Sequence, residues 1–254
     1  MLERLLALEV FSYLLVFSRL GAAIMLLPGF GEAFVPLRVR LLAALTVTAV
    51  MYPVVAPLLP DTPTAFVAVL LLILGEVTVG VFIGTVARVL TSALSTTGTI
   101  IAFLTGFANA ILFNPAIRDQ GAMTSVLLSL LGILLILVTD LHHLMFAALM
   151  DSYTMFVPGS GLPFDDFSEA IGRLVAGSFL LGVQLAAPFI IVVLLFYICL
   201  GILARLMPQF QVFFVGLPLQ IMLGLTVLVV SISAIMMLFL DYFATGISGF
   251  ITSR

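Results

Sequence analysis

At 254 residues, with 63% hydrophobic and 8% charged side chains, the chain excludes a soluble globular domain and reads as a polytopic membrane protein. Its formal net charge of −3 sets twelve acids against nine arginines with no lysine, which leaves no basic patch for nucleic acid. The single cysteine, Cys199, lies in an apolar run, so it offers neither a disulfide framework nor a metal cluster and reads as core packing.

The N-terminus does not read as a cleavable signal, because Glu3 and Glu9 make its would-be basic region acidic and Arg19 cuts the apolar region. The first apolar segment, 7–28, is therefore expected to stay in the mature protein. Arg19 stands in its middle, where a charge costs on the order of 3 kcal/mol to insert, so it must face protein or water and have a partner. A turn follows through Gly29, Gly31, Glu32, Pro36, Arg38 and Arg40. The second segment, 41–59, carries Pro53 and Pro57 and should kink or end there.

The third segment, 65–89, places Glu76, Gly80 and Gly84 at spacings of four and therefore on one helical face. Small residues at that spacing let a neighbouring helix approach closely, and Glu76 on the same stripe points to a packed interface. The fourth segment, 123–150, would be about 42 Å long as one helix, and the fifth, 171–203, about 50 Å with Pro188 inside it. Both exceed what a bilayer requires. The sixth, 221–242, has an ordinary span length.

Between the third and fourth segments runs 98–120, nearly as apolar as a span but not expected to form one helix. Gly106 interrupts it, Pro115 closes it, and Asn109 and Asn114 would strand amide groups in lipid. Non-helical backbone at membrane depth survives only where protein buries it or where it lines a cavity. Just upstream, Ser92, Ser95, Thr96 and Thr99 fall at i, i+3, i+4 and i+7, stacking four hydroxyls on one face. Two readings fit: the wall and constriction of a conduit, or a tightly packed turn between two helices. With the N-terminus outside, arginine placement favours a re-entrant path here by five against three: Arg38, Arg40, Arg88, Arg118 and Arg205 fall on the cytoplasmic side, while Arg4, Arg173 and Arg254 fall outside with the acids Asp61, Asp151, Asp165, Asp166 and Glu169.

Asp140, His142 and His143 form the only cluster resembling a metal or catalytic site. Adjacent histidines point about 100° apart on a helix and do not share a face as the ligands of a metalloprotease motif do, so a polar interface or helix end is the reading for them. No P-loop or hydrolase motif is present, and no catalytic, cofactor-binding or metal-binding residue is expected. The stretch 205–220 is more informative. Pro208 and Pro218 bracket it, Gln209, Gln211 and Gln220 punctuate it, and Phe210, Phe213 and Phe214 suggest a docking surface or a segment lying in the interface plane.

A family pattern runs through these positions: Arg19-Leu-Gly21, Pro28-Gly-Phe-Gly31, Pro36 with Arg38 and Arg40, Gly75-Glu76 with Gly80 and Gly84, then Arg205, Pro208-Gln209, Phe213, Gly216 and Pro218. The chain resembles the FliR family, whose injectisome counterpart is SctT, over essentially its whole length. The short C-terminus resembles the flagellar branch. The resemblance implies an all-α polytopic membrane protein of long helical hairpins, FliP-like over 1–169 with a central plug loop at about 106–120, and FliQ-like over 170–254. It further implies a structural, non-enzymatic subunit of the flagellar type III secretion export gate, working with FliP- and FliQ-like subunits at the basal body in the bacterial inner membrane. An FlhB-like protein would dock at the cytoplasmic entrance, unfolded exported proteins would pass through, and the assembled gate would protrude to the periplasmic side. Energy would come from a partner ATPase and the proton motive force. By that resemblance Gly106, Phe107, Asn109, Ile111, Leu112, Phe113, Asn114 and Pro115 belong to a pore plug. Arg205, Pro208, Gln209, Phe210, Phe213, Gly216 and Pro218 belong to the cytoplasmic docking loop. The rival reading is a secondary transporter with Arg19 and Glu76 as midplane coupling groups.

Overall fold

The structure is a computed structural model that describes residues 2–60, 63, 65–106, 123–161, 163–207 and 212–249. All regular elements among them are helical: α1 Leu2–Ile24, α2 Leu37–Val55 with a 3-10 turn at Ala56–Leu58, α3 Phe66–Thr105, α4 Met123–Val138, α5 Leu141–Met155, α6 Phe164–Leu206 and α7 Val212–Ser248. Four of these are long and apolar enough to cross a membrane, and the bent pair of α4 and α5 would make five if counted as one span.

The boundaries follow local chemistry. Pro36 precedes α2, so Arg38 and Arg40 lie in its first turn and not in the preceding turn as the sequence suggests. Arg40 folds back to donate to the carbonyls of Val35 and Glu32. Pro53 is tolerated inside α2, while Pro57 falls in the 3-10 turn that ends it. The third segment is longer than the sequence suggests: α3 runs 40 residues without interruption, so Arg88 lies in mid-helix and not at an end. It stops where Gly106 takes φ +80°, a backbone region that glycine enters at little cost.

The expected single helix over 123–150 is instead two helices meeting at 75°. Asp140 sits at the break with φ 59° and ψ 14°, a left-handed conformation that Asp tolerates better than most residues. The late connection is also shorter than the sequence suggests. Helix α7 starts at Val212, which puts Phe213, Gly216, Pro218 and Gln220 inside it, while α6 and α7 reach 43 and 37 residues. At 1.5 Å per residue α3, α6 and α7 are about 60, 65 and 56 Å long, well beyond a hydrocarbon core of about 30 Å.

The chain divides into two compact units, and α3, α4, α6 and α7 contribute residues to both. Unit 1 comprises Met1–Leu90, Ile136–Val175 and Phe243–Arg254, with Leu15, Leu20, Ile24, Val79 and Val86 among its buried residues. Its aromatic cluster stacks Phe82 on Phe167 at 4.1 Å between ring centroids, with Phe156 edge-on to both. Unit 2 comprises Thr91–Leu135 and Ala176–Tyr242, with Leu94, Ile101, Leu128, Phe189 and Phe239 buried. Cys199, read as core packing, is exposed on α6.

Candidate functional site

In unit 1, Arg19 of α1 is 1% exposed and Glu76 of α3 is 2% exposed. The guanidinium grips the carboxylate through two bonds, Nε to Oε2 at 2.7 Å and Nη2 to Oε1 at 2.9 Å. Nη1 donates to the carbonyl and hydroxyl oxygens of Ser152 at 3.0 and 3.2 Å, and Nη2 also donates to the Phe156 carbonyl at 2.8 Å. Five bonds match the five N–H groups of an arginine, so no donor is left over. The carbonyls of Ser152 and Phe156 lie at the end of α5, where a cation complements the helix dipole, and Ser152 O also accepts from the Phe156 N–H at 2.8 Å. The Tyr153 ring lies under the guanidinium, 4.0 Å from its central carbon, while the buried Tyr153 hydroxyl has no hydrogen-bond partner among the described residues.

What brings α1 and α3 close enough for this pair is glycine. A Cβ at Gly80 would collide with the Arg19 carbonyl oxygen, and one at Gly84 would sit 2.7 Å from the Leu26 Cβ. The expected stripe of Glu76, Gly80 and Gly84 therefore faces α1. A cavity of about 560 Å³ opens beside the pair, lined by Leu72, Gly75, Phe156 and Gly159 with Arg19 and Glu76 at its wall.

In unit 2, the hydroxyl face of α3 is partly spent on its own helix: Thr96 donates to Ser92 O and Thr99 to Ser95 O. Ser95 Oγ lies 3.1 Å from Ser125 Oγ of α4, and Thr124 donates to Gly98 O at 2.9 Å. Gly98 has Ser125 backbone against it, so α3 and α4 also pack without a side chain between them. Farther along, the last turn of α3 meets α7: Gln220 Nε2 donates to Leu104 O at 2.5 Å and Gln220 Oε1 accepts from Tyr197 OH at 3.3 Å.

Comparison with known proteins adds one deciding observation. A sequence model of the family described as bacterial export proteins, family 1, matches residues 10–246. The chain belongs to this family. It is 39% identical to the flagellar biosynthetic protein FliR of Caulobacter vibrioides, over 92% of this chain and 94% of that protein. The flagellar biosynthetic protein FliR of Bacillus subtilis is 28% identical over 93% of this chain and 92% of its own. The secretion system apparatus protein SsaT of Salmonella typhimurium is 29% identical over 63% of this chain and 62% of its own. With its long apolar helices, this member of the FliR family is a multipass membrane component of a flagellar and type III secretion export apparatus.

The pattern residues of the FliR resemblance fall in different places. Arg19 and Glu76 form the buried pair, and Gly106 ends α3. Phe107, Asn109, Ile111, Leu112, Phe113, Asn114 and Pro115 lie outside the described residues, as do Pro208, Gln209 and Phe210. Arg205 is in the last turn of α6, and Phe213, Gly216 and Pro218 are in the first turns of α7.

Asp140, His142 and His143 come closer than adjacent helical positions suggest. The break places one ligand atom of each within 4.8 Å of the others, and the imidazole centroids are 4.2 Å apart. Asp140 Oδ1 and His143 Nδ1 are 3.7 Å apart on side chains that are 74% and 72% exposed, so solvent competes for both.

Sequence reasoning passes over three residues that complete these sites, and names a fourth, Gln220, only as part of the 205–220 stretch. Ser152, Tyr153 and Phe156 carry no pattern that marks them, since a backbone carbonyl supplied by a helix end has no sequence signature. Gln220 does carry one: Gly216, Gln220 and Gly224 are spaced by four, which puts a lone amide between two glycines on one face of an apolar helix.

Proposed function

We propose that this chain is a structural subunit of the flagellar type III secretion export gate in the bacterial inner membrane, built with FliP- and FliQ-like subunits and without catalytic activity of its own. The observation that carries this reading is the family match over residues 10–246, which takes in nearly all the described helices and is not confined to one motif. In this reading 1–169 is the FliP-like part and 170–254 the FliQ-like hairpin. The stretch from Gly106 to Pro115 closes the conduit at rest, and the turn between α6 and α7, with its flanks from Arg205 to Pro218, meets an FlhB-like protein at the cytoplasmic side. Unfolded exported proteins are the cargo, and the helices that overrun the bilayer carry the assembled gate toward the periplasm.

Two features support a structural role for the charge pair over an ion-coupling one. Arg19 spends all its donors on protein acceptors, and each Glu76 oxygen is already bonded. A coupling group must exchange its partner for an ion or a proton in each cycle, and this arrangement leaves Arg19 nothing to exchange.

Purification in mild detergent tests the reading. The chain is expected to come out stoichiometrically with FliP- and FliQ-like subunits. Recovery alone, or as a homo-oligomer, overturns the gate assignment and returns the transporter.

A further inference from the structure

Both histidines of the chain stand at the corner between α4 and α5 in unit 1, beside Asp140, and the export reading has no use for any of the three. On a straight helix these residues would not face one another, because side chains one or two positions apart diverge. Here the two helices meet at 75°, and Asp140 takes φ 59° and ψ 14° at the corner. In that arrangement Asp140, His142 and His143 each hold one ligand atom within 4.8 Å of the other two.

The three groups are not spent on the helix or on each other. An Asp at a helix N-cap ordinarily accepts from N–H groups of the first turn, yet the Asp140 side chain makes no capping bond. Its Oδ1 lies 3.7 Å from His143 Nδ1, beyond hydrogen-bond length. His142 is half-buried, and its Nδ1 is shielded from water with no hydrogen-bond partner among the described residues. A shielded ring nitrogen left unused is costly, so its neglect calls for an occupant. The two imidazole rings lean together, with centroids 4.2 Å apart and planes 34° apart.

We propose that Asp140, His142 and His143 bind a divalent transition-metal ion of borderline softness, with Zn²⁺ as its representative, and that the ion pins the corner between α4 and α5. Two imidazoles and one carboxylate are a donor set such ions take, leaving a fourth position for water. Mg²⁺ and Ca²⁺ call for more oxygen ligands than one carboxylate supplies. Bonds of about 2.0–2.2 Å in a tetrahedral site put the donors about 3.3 Å apart, so the present separations close by no more than about 1.5 Å. Asp140 and His143 are 74% and 72% exposed, and side chains so free can turn that far without disturbing the core. The ion ties the residue that makes the corner to the first turn of α5. It therefore favours the bent path over a straight one, which would carry Asp140 and His142 to different faces.

The test uses the full chain, with whatever subunits co-purify, on a tag that contains no histidine. The protein is stripped with chelator and titrated with Zn²⁺ in mild detergent against a competing metal indicator. One Zn²⁺ per chain is expected, and a large excess of Mg²⁺ or Ca²⁺ should not displace it. Asp140→Gly, His142→Ala and His143→Ala are each expected to weaken binding by about tenfold or more. Saturating Zn²⁺ should raise the melting temperature of the wild-type chain well above any rise in the three variants. Glycine enters the backbone region of Asp140 freely, so loss of Zn²⁺ from Asp140→Gly is not loss of the corner. No stoichiometric Zn²⁺ on the wild-type chain overturns the site, as does equal binding by all three variants. Weaker binding in the histidine variants alone overturns the carboxylate ligand and with it the hold on the corner. Should a histidine variant not fold, Co²⁺ on the wild-type chain decides: a tetrahedral d–d absorption spectrum supports the site, and the spectrum of the hydrated ion overturns it.

Discussion

The Arg19 guanidinium and the Glu76 carboxylate, 57 positions apart in the chain, meet through two bonds of 2.7 and 2.9 Å. The pair joins α1 to α3, and the remaining donors of Arg19 carry the link on to the end of α5. Removing one partner strands a buried charge, which costs on the order of 3–5 kcal/mol, whereas removing both leaves none. Arg19→Leu and Glu76→Leu should each lower thermal stability in detergent and the yield of assembled complex more than membrane insertion. The double variant should recover part of the loss. Equal losses in all three variants would show that the two charges do not act as a pair.

The approach of α1 to α3 depends on missing side chains. Gly80→Ala pushes a methyl group into the Arg19 carbonyl and Gly84→Ala pushes one against Leu26, so each should cost about 1–3 kcal/mol through overpacking. Gly75→Ala, on the same helix with nothing within 4 Å, should be neutral or stabilising by up to about 1 kcal/mol. Melting temperatures of the three purified variants check the contrast, and equal effects at Gly75 and Gly80 would contradict it.

Asp140 holds the left-handed conformation at the break between α4 and α5. A glycine there accepts the same backbone freely, while a β-branched residue pays roughly 1–2 kcal/mol. Asp140→Gly should therefore melt at or above the wild-type temperature and Asp140→Val several degrees below it. If Asp140→Gly is the weaker of the two, the side chain and not the backbone sets the break.

Much of this was legible in the sequence for simple reasons. A lone arginine and a lone glutamate in apolar runs must find partners, and Glu76, Gly80 and Gly84 at spacings of four name the face on which one is found. Gly106 marks the end of α3 because little else enters a positive φ there. The break at Asp140 was hidden, since Thr139-Asp140 carries no glycine or proline and the apolar pattern continues on both sides. The start of α7 was hidden for the opposite reason. Pro218 reads as a boundary, yet a proline near the beginning of a long helix disturbs few intrahelical bonds, and Val212 onward is helical. The caps on α5 and α3 were out of reach in a different way, because each joins a side chain to a carbonyl more than a hundred positions away.

The α6–α7 turn makes a prediction about partners. A photocrosslinking residue at Phe210 or Phe213 should capture an FlhB-like protein or a FliQ-like neighbour in cells that export. A cysteine at Gln211 should react with a membrane-impermeant thiol reagent only from the cytoplasmic side. Labelling from the periplasmic side alone would contradict both the orientation and the docking role.

The last prediction concerns closure. Apolar constrictions close conduits by excluding water, and in the proposed reading Phe107, Ile111, Leu112 and Phe113, which follow Gly106 in the sequence, would supply such a wall. On the same reading Asn109 and Asn114 would offer side-chain amides to backbone groups that a non-helical path leaves open. The contacts of Arg19, Gly80, Gly84 and Gly98 that pack the helices are all made outside this stretch. Deleting 107–113 should therefore leave assembly with the partner subunits largely intact while letting ions through. Cells making the deleted protein with its partners are expected to show raised membrane conductance and growth inhibition by small solutes. Assembly is checked in parallel by co-purification, because an unassembled complex would be silent for a different reason. A tight membrane around a fully assembled, deleted complex would leave the stretch as ordinary packing between α3 and α4.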